Sequence, residues 1–230
     1  MFTIHSASVS AANNSNITFE DVTKNHPAYE EINYLVNLGG VIQGYFVNGK
    51  RVFGPNNSVT RGQAAKMVVV ASGNKPLVVN KSSFSDVTVG TEMSGYIERA
   101  VQLGFFDKNI KGQFLPNKPL TRGEMSYVLT KAFNLDTSEY EGGIDSPFTD
   151  VAITHEYVKY INTIYYNGIT NGTGNTYLPN GTVTRSQFSL FVARANSEKY
   201  RLELPVKGVQ VPDTSQVIGL VKVTTDAKHP

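Results

Sequence analysis

Apolar residues along the chain gather into short helical stretches separated by polar intervals. In Tyr29-x-x-Ile32-x-x-Leu35-Val36 and Tyr157-x-x-x-Ile161-x-x-Ile164-Tyr165 they recur every three to four positions, the spacing of one helix face. These first helices are predicted to stop at Gly39, Gly104 and Gly168, because the position after a helix favours a left-handed backbone. A second set of helices is predicted over 60–72, 121–133 and 184 to about 197. Between the sets lie a Gly- and Asn-rich loop and an aromatic-x-Pro-Asn turn. The chain therefore reads as helix, long loop, helix, three times over.

The offsets are regular. Phe19-Glu-Asp21-Val22, Phe84-Ser-Asp86-Val87 and Phe148-Thr-Asp150-Val151 open the three segments, and thirteen residues after each Phe stand Ile32, Ile97 and Ile161. Phe53-Gly-Pro55-Asn56, Phe114-Leu-Pro116-Asn117 and Tyr177-Leu-Pro179-Asn180 follow, each five residues ahead of a Thr-Arg pair counted from its Pro. One helix pair has too little core to stand alone, and with only three copies closure buries ends that an open stack would expose. The expected fold is mainly α: three tandem helix-loop-helix repeats in a compact, pseudo-threefold, three-pronged bundle. The predicted repeats are 17–77, 78–143 and 144–200. Residues 1–16 read as a flexible N-terminus or a signal-peptide remnant, having the small-residue texture of a cleavage site without a basic n-region. Residues 201–230 read as a linker and the start of a downstream domain absent from this chain.

Charge and composition narrow the function. Net charge is +2 with Lys and Arg scattered, so neither nucleic acid nor a membrane surface is expected as partner. No run of 18 apolar residues occurs, and the absence of cysteine removes disulfides, thiolate nucleophiles and Cys-ligated metals. Gly44 to Arg51 nearly spells a P-loop, but Arg51 stands where Ser or Thr must reach magnesium. Asp107-x-Asn109-x-Lys111-Gly112 opens like a calcium loop, yet its twelfth position is Lys118. His26 and His155 fall at equivalent helix starts, which suits a turn or cap role. A glycosidase needs two carboxylates across a cleft, and no such pair recurs here. No catalytic residue, cofactor or metal is expected.

Thr60 with Gln63, Thr121 with Glu124, and Thr184 with Gln187 match the capping box, in which hydroxyl and N3 side chain satisfy each other's backbone amides. The box leaves Arg61, Arg122 and Arg185 unexplained, because a cation at the first helical position opposes the helix dipole. Two readings stay open. Each arginine pairs with the Asp of a Phe-x-Asp-Val turn, Asp21, Asp86 or Asp150, or it joins free helical amides in an anion trap.

Taken together, Phe-x-Asp-Val, Gly40-Val-Ile-Gln-Gly44-Tyr45, aromatic-x-Pro-Asn and Thr-Arg resemble the S-layer homology family over about residues 17–197. The resemblance implies grooves between the prongs. It also implies noncovalent binding to secondary cell-wall polysaccharide on Gram-positive peptidoglycan, usually through a pyruvate-ketal sugar, by a secreted protein of the cell surface. The family's arginine falls on Arg61, Arg122 and Arg185, and its groove-edging loop on Gly44, Tyr45 and Gly172. Lys131 and Arg194, nine residues beyond their arginines, are expected to face the same grooves, where repeat one has Val70. Self-assembly through the absent C-terminal part is a further expectation. The family's tryptophan, eight residues after the opening Phe, is replaced by Pro27, Glu92 and Glu156, and the second loop reads Gly104-Phe-Phe-Asp107. Fewer than three equally competent grooves are therefore expected. The alternative function is a structural or protein-interaction module with its arginines in internal salt bridges.

Overall fold

The computed structural model describes residues 17–107, 112–141 and 145–203. The expectations for residues 1–16 and for the chain beyond 203 lie outside the described residues, as does most of the calcium-like stretch. Among the described residues six α-helices carry the fold: α1 Tyr29–Asn37, α2 Arg61–Ala71, α3 Glu92–Gln102, α4 Arg122–Ala132, α5 Val158–Tyr166 and α6 Arg185–Asn196. The chain is thus mainly α, with one first and one second helix per repeat.

Local chemistry sets the helix ends. Past α3, Gly104 takes φ +73°, and the amides of Gly104 and Phe105 return to the carbonyls of Val101 and Ala100. Gly168 and Ile169 close α5 in the same way, a Schellman-type stop that uses carbonyls the helix leaves free. At the other end, Thr60, Thr121 and Thr184 each form a complete capping box with Gln63, Glu124 and Gln187.

The loop of the first repeat is more ordered than expected. It carries an antiparallel hairpin, β1 Tyr45–Val47 with β2 Lys50–Val52. Asn48 and Gly49 at its tip have φ of +50° and +77°, as the favoured two-residue hairpin turn requires. The near P-loop stretch is this hairpin.

The aspartates do not serve the arginines. Both oxygens of Asp21 accept backbone N–H bonds, from Phe53 and Gly54 at 2.7 Å each. Asp86 takes the amides of Phe114 and Leu115 at 2.9 and 2.8 Å, and Asp150 those of Tyr177 and Leu178 at 2.8 and 2.7 Å. Each carboxylate thus pins its own repeat's aromatic-x-Pro-Asn turn, which corrects the Asp–Arg pairing considered above.

The repeats close into a ring of contacts. The amide of Val59 donates to the carbonyl of Val183 at 2.9 Å, that of Leu120 to Val59 at 2.9 Å, and that of Val183 to Leu120 at 3.1 Å. Around this ring α2, α4 and α6 touch pairwise, and each packs on the first helix of the following repeat: α2 on α3, α4 on α5, α6 on α1. Phe53, Phe114 and Tyr177 fill equivalent places beneath the turns, fully buried. Burial of one such ring stabilises by roughly 1.5–3 kcal/mol. The faces left between consecutive repeats are the grooves.

Candidate functional site

The three arginines begin α2, α4 and α6 and reach into the next repeat. Nε of Arg61 donates to the carbonyl of Phe114 at 2.9 Å, Nε of Arg122 to Tyr177 at 2.5 Å, and Nε of Arg185 to Phe53 at 2.8 Å. Each guanidinium also lies over the ring of that aromatic, at 5.0, 4.7 and 4.8 Å from the centroid. The helical amides beside them are taken as well. Arg61 and Gly62 donate to Lys118 and Pro116, Arg122 and Gly123 to Gly181 and Pro179, and Arg185 and Ser186 to Asn57 and Pro55. The anion-trap reading takes these donors as free; backbone carbonyls of the neighbouring repeat satisfy them instead. Only side chains are left free to meet an anion at these helix starts.

The side chains make the three grooves unequal. Groove 1 lies between the loop after α1, helix α2 and the start of α3, with Arg185 entering from the third repeat. It encloses about 220 Å³ and brings together four sequence-predicted residues, Arg185, Gly44, Tyr45 and Gln63. Gln43, Lys66, Glu92 and Met93 also line it, with Val41, Ile42 and Met67 as its apolar part. Arg185 has no ion pair among the described residues. Burial lowers its pKa from the ordinary value, offset by Tyr45 and Asp21; a guanidinium remains charged at neutral pH regardless. With Lys66 and Arg185 against one carboxylate, Glu92, groove 1 holds a net positive charge.

Groove 2 holds its own anion. Its cavity of about 60 Å³ is lined by Arg61, Phe106, Asp107, Glu124, Tyr127 and Tyr157. Nη1 of Arg61 sits 2.8 Å from Oε1 of Glu124, with both side chains about six-sevenths buried, and Lys118 approaches the same oxygen at 3.6 Å. The hydroxyl of Tyr127 donates to Asp107 at 2.8 Å, and its pKa is raised by burial first and by Asp107 second. Where groove 1 has neutral Gln63 and cationic Lys66, groove 2 has Glu124 and Tyr127 at the same helical positions.

Arg122, the arginine of the third groove, is only 7% exposed. It lies between the rings of Tyr177 and Phe191, and one terminal nitrogen has no hydrogen-bond partner. Leu190 stands where groove 1 has Lys66. This arginine is part of the core.

Gly44 and Gly172 are structurally equivalent. Both have positive φ, and a Cβ on either would collide with the ring of Phe19 or Phe148 and with the carbonyl of Val52 or Thr176. Their role is to let the loop pass over that ring. Lys131 lies at the far end of α4 beside Asn134 and Thr137, and lines neither cavity described above. Arg194 is half-buried at the far end of α6, donating to the carbonyl of Ile169 at 3.2 Å. Nδ1 of His26 and of His155 accepts the backbone amide of Ala28 and of Tyr157 at 3.1 Å, within the turns that lead into α1 and α5. Among the described residues no group of three or more His, Asp or Glu could hold a metal ion.

Lys66, Glu92 and Gln43 are not marked as groove residues by the sequence. Lys66 and Gln43 occur in one repeat only, so internal similarity passes over them, and Glu92, matched by Glu156 in the third repeat, shows only as a departure from the family's tryptophan.

Comparison with known proteins places these repeats. The model of the S-layer homology domain matches residues 18–65, 83–126 and 147–189. The chain is 30% identical over 184 residues to an uncharacterized cell wall amidase of Bacillus anthracis, covering 79% of this chain and 32% of that protein. It is 31% identical to the S-layer protein sap of the same organism, over 79% of this chain and 21% of the relative. The S-layer protein of Bacillus licheniformis is 28% identical over 91% of this chain and 24% of its own length. The chain thus spans between a fifth and a third of the relatives it matches.

Proposed function

The chain belongs to the S-layer homology family and is a protein of the cell surface, and from that premise we propose that it anchors a larger protein to the wall by holding an acidic glycan in groove 1. The ligand is secondary cell-wall polysaccharide carrying a carboxylate, of which a pyruvate ketal is the expected form. One observation supports the choice of groove above the rest. Arg185 lines an open cavity beside Lys66 with no carboxylate of its own, whereas Arg61 is paired with Glu124 and Arg122 is enclosed by rings.

The groove supplies what such a ligand needs. A carboxylate meets the guanidinium of Arg185, whose planar donors suit forked recognition, and the ammonium of Lys66. Tyr45, 41% exposed and with its hydroxyl accepting a 2.9 Å bond from Nδ2 of Asn57, offers a ring for the sugar face, and Met93 an apolar wall. Gln43 and Gln63 provide polar groups for hydroxyls. Nothing in this arrangement calls for bond cleavage, and the module is read as a non-catalytic anchor.

A second reading, in which the arginines serve only internal contacts, is favoured by Arg61 and Arg122 and opposed by Arg185. Co-sedimentation with purified sacculi separates the two. The chain should pellet with intact sacculi and stay in solution with sacculi stripped of their polysaccharide by acid. Equal pelleting with both would contradict glycan anchoring.

A further inference from the structure

Lys66 already has a carboxylate on it. Its Nζ lies 2.5 Å from Oε1 of Glu92 and 3.2 Å from Oε1 of Gln43, and 5.7 Å from the centre of the Tyr96 ring. The lysine side chain is only 13% exposed, while that of Glu92 is 61% exposed. Glu92 opens α3, so the pair crosses from the first repeat to the second on the floor of groove 1.

The contrast with groove 2 shows what kind of carboxylate this is. Glu124 is held by Arg61, by Lys118 and by the capping box of its own helix, and is mostly buried. Glu92 has one cation, takes no part in a side-chain cap of α3, and stands mainly in solvent. Its carboxylate can leave Lys66 by rotation about an exposed stem; that of Glu124 is fixed on several sides.

From this geometry we propose that Glu92 is a tethered competitor that occupies Lys66 in the unliganded groove and is displaced by the acid group of the incoming glycan. The proposal rests on groove 1 being the glycan site. It makes Glu92 a specificity-determining residue. A covalently tethered carboxylate acts at an effective concentration of millimolar or more, so dilute simple anions do not dislodge it. A glycan that also engages Arg185 and Tyr45 does, exchanging one carboxylate for another at a mostly buried ammonium. A neutral sugar brings nothing to replace Glu92 and leaves the pair in place. The apparent affinity for the acidic ligand is lowered by the fraction of molecules in which Lys66 is occupied.

The test is calorimetric titration of the full chain, as wild type, Glu92→Gln, Lys66→Gln and the double variant, with a pyruvate-ketal monosaccharide and with its methyl ester. Glu92→Gln should bind the acid about two- to fivefold more tightly, in line with release from a single exposed ion pair, with no gain for the ester. Glu92→Ser, which keeps the position polar, should give the same gain. In the Lys66→Gln background the gain should shrink to less than about twofold, the coupling expected when one residue acts through the other. Unchanged or weaker binding by Glu92→Gln, where wild type binds, overturns the competitor role and leaves the groove assignment intact. Wild type that binds neither compound overturns both.

Discussion

Nε of Arg185 lies 2.8 Å from the carbonyl oxygen of Phe53, and its guanidinium carbon 4.8 Å from the centroid of the same ring, across 132 residues of chain. The last repeat is thereby clamped to the first, and the side chain that makes the clamp also lines groove 1. The ligand contact proposed for Arg185 therefore falls on a residue that also holds the repeats together. The other two arginines keep the clamp and lose the access, through Glu124 in one case and burial in the other.

Replacement of the arginines should therefore have unequal effects. Arg122→Ala removes a buried donor and its packing between two rings, and should cost about 2–4 kcal/mol. Arg185→Ala should cost less, about 1–2 kcal/mol, and abolish glycan binding. Urea unfolding beside a sacculus-binding assay measures both. Equal stability losses would contradict the inequality of the grooves.

Glu124→Gln preserves the capping box, since Gln63 and Gln187 form the same box in the other repeats. It leaves Arg61, whose side chain is 13% exposed, without a counter-charge. A loss of about 1–3 kcal/mol is expected, below that of a fully buried pair because some solvent remains. Affinity at groove 1 should not change. Denaturant midpoints and a titration of each protein check the two halves.

Asp150→Ala should be among the most damaging substitutions distant from the grooves. It strips two charge-assisted bonds from the amides of Tyr177 and Leu178, the latter held at φ +60°. The expected cost is about 2–4 kcal/mol. A change in midpoint too small to resolve would refute the pinning role of the aspartates.

Much of this was legible in the residues, and the failures share a cause. Thr-x-x-Gln/Glu specified three capping boxes because both partners lie within one helical turn. Gly104 and Gly168 marked helix ends for the same local reason. The Asn48-Gly49 hairpin turn is also local, an Asn-Gly pair inside a stretch whose Gly and Asn content reads as loop. By contrast, the partner of Asp21 is a pair of amides more than thirty residues away, and that of Arg185 lies in another repeat. Pairings at that range depend on how the repeats close, which spacing within one repeat does not state. Lys66 is hidden differently: it stands where the other repeats have Tyr127 and Leu190, and similarity between repeats reports what is shared.

Alkaline pH should destabilise the fold through its tyrosines. Burial pushes Tyr157 from the ordinary value of 10.0 up to about 12, and fully buried Tyr177 is raised as well. A raised value means that the folded state holds the proton more tightly. The contribution is complete below about pH 10, where both states are protonated, and is lost as pH climbs through 12. Urea unfolding between pH 8 and 11 should show stability falling in the upper part of the range, less steeply in Tyr157→Phe.

The most direct test of the account counts ligands. Titration of the chain with a pyruvate-ketal monosaccharide should give one site per chain, lost in Arg185→Ala and kept in Glu124→Gln. Three equivalent sites, or full binding by Arg185→Ala, would contradict the assignment of the glycan to groove 1.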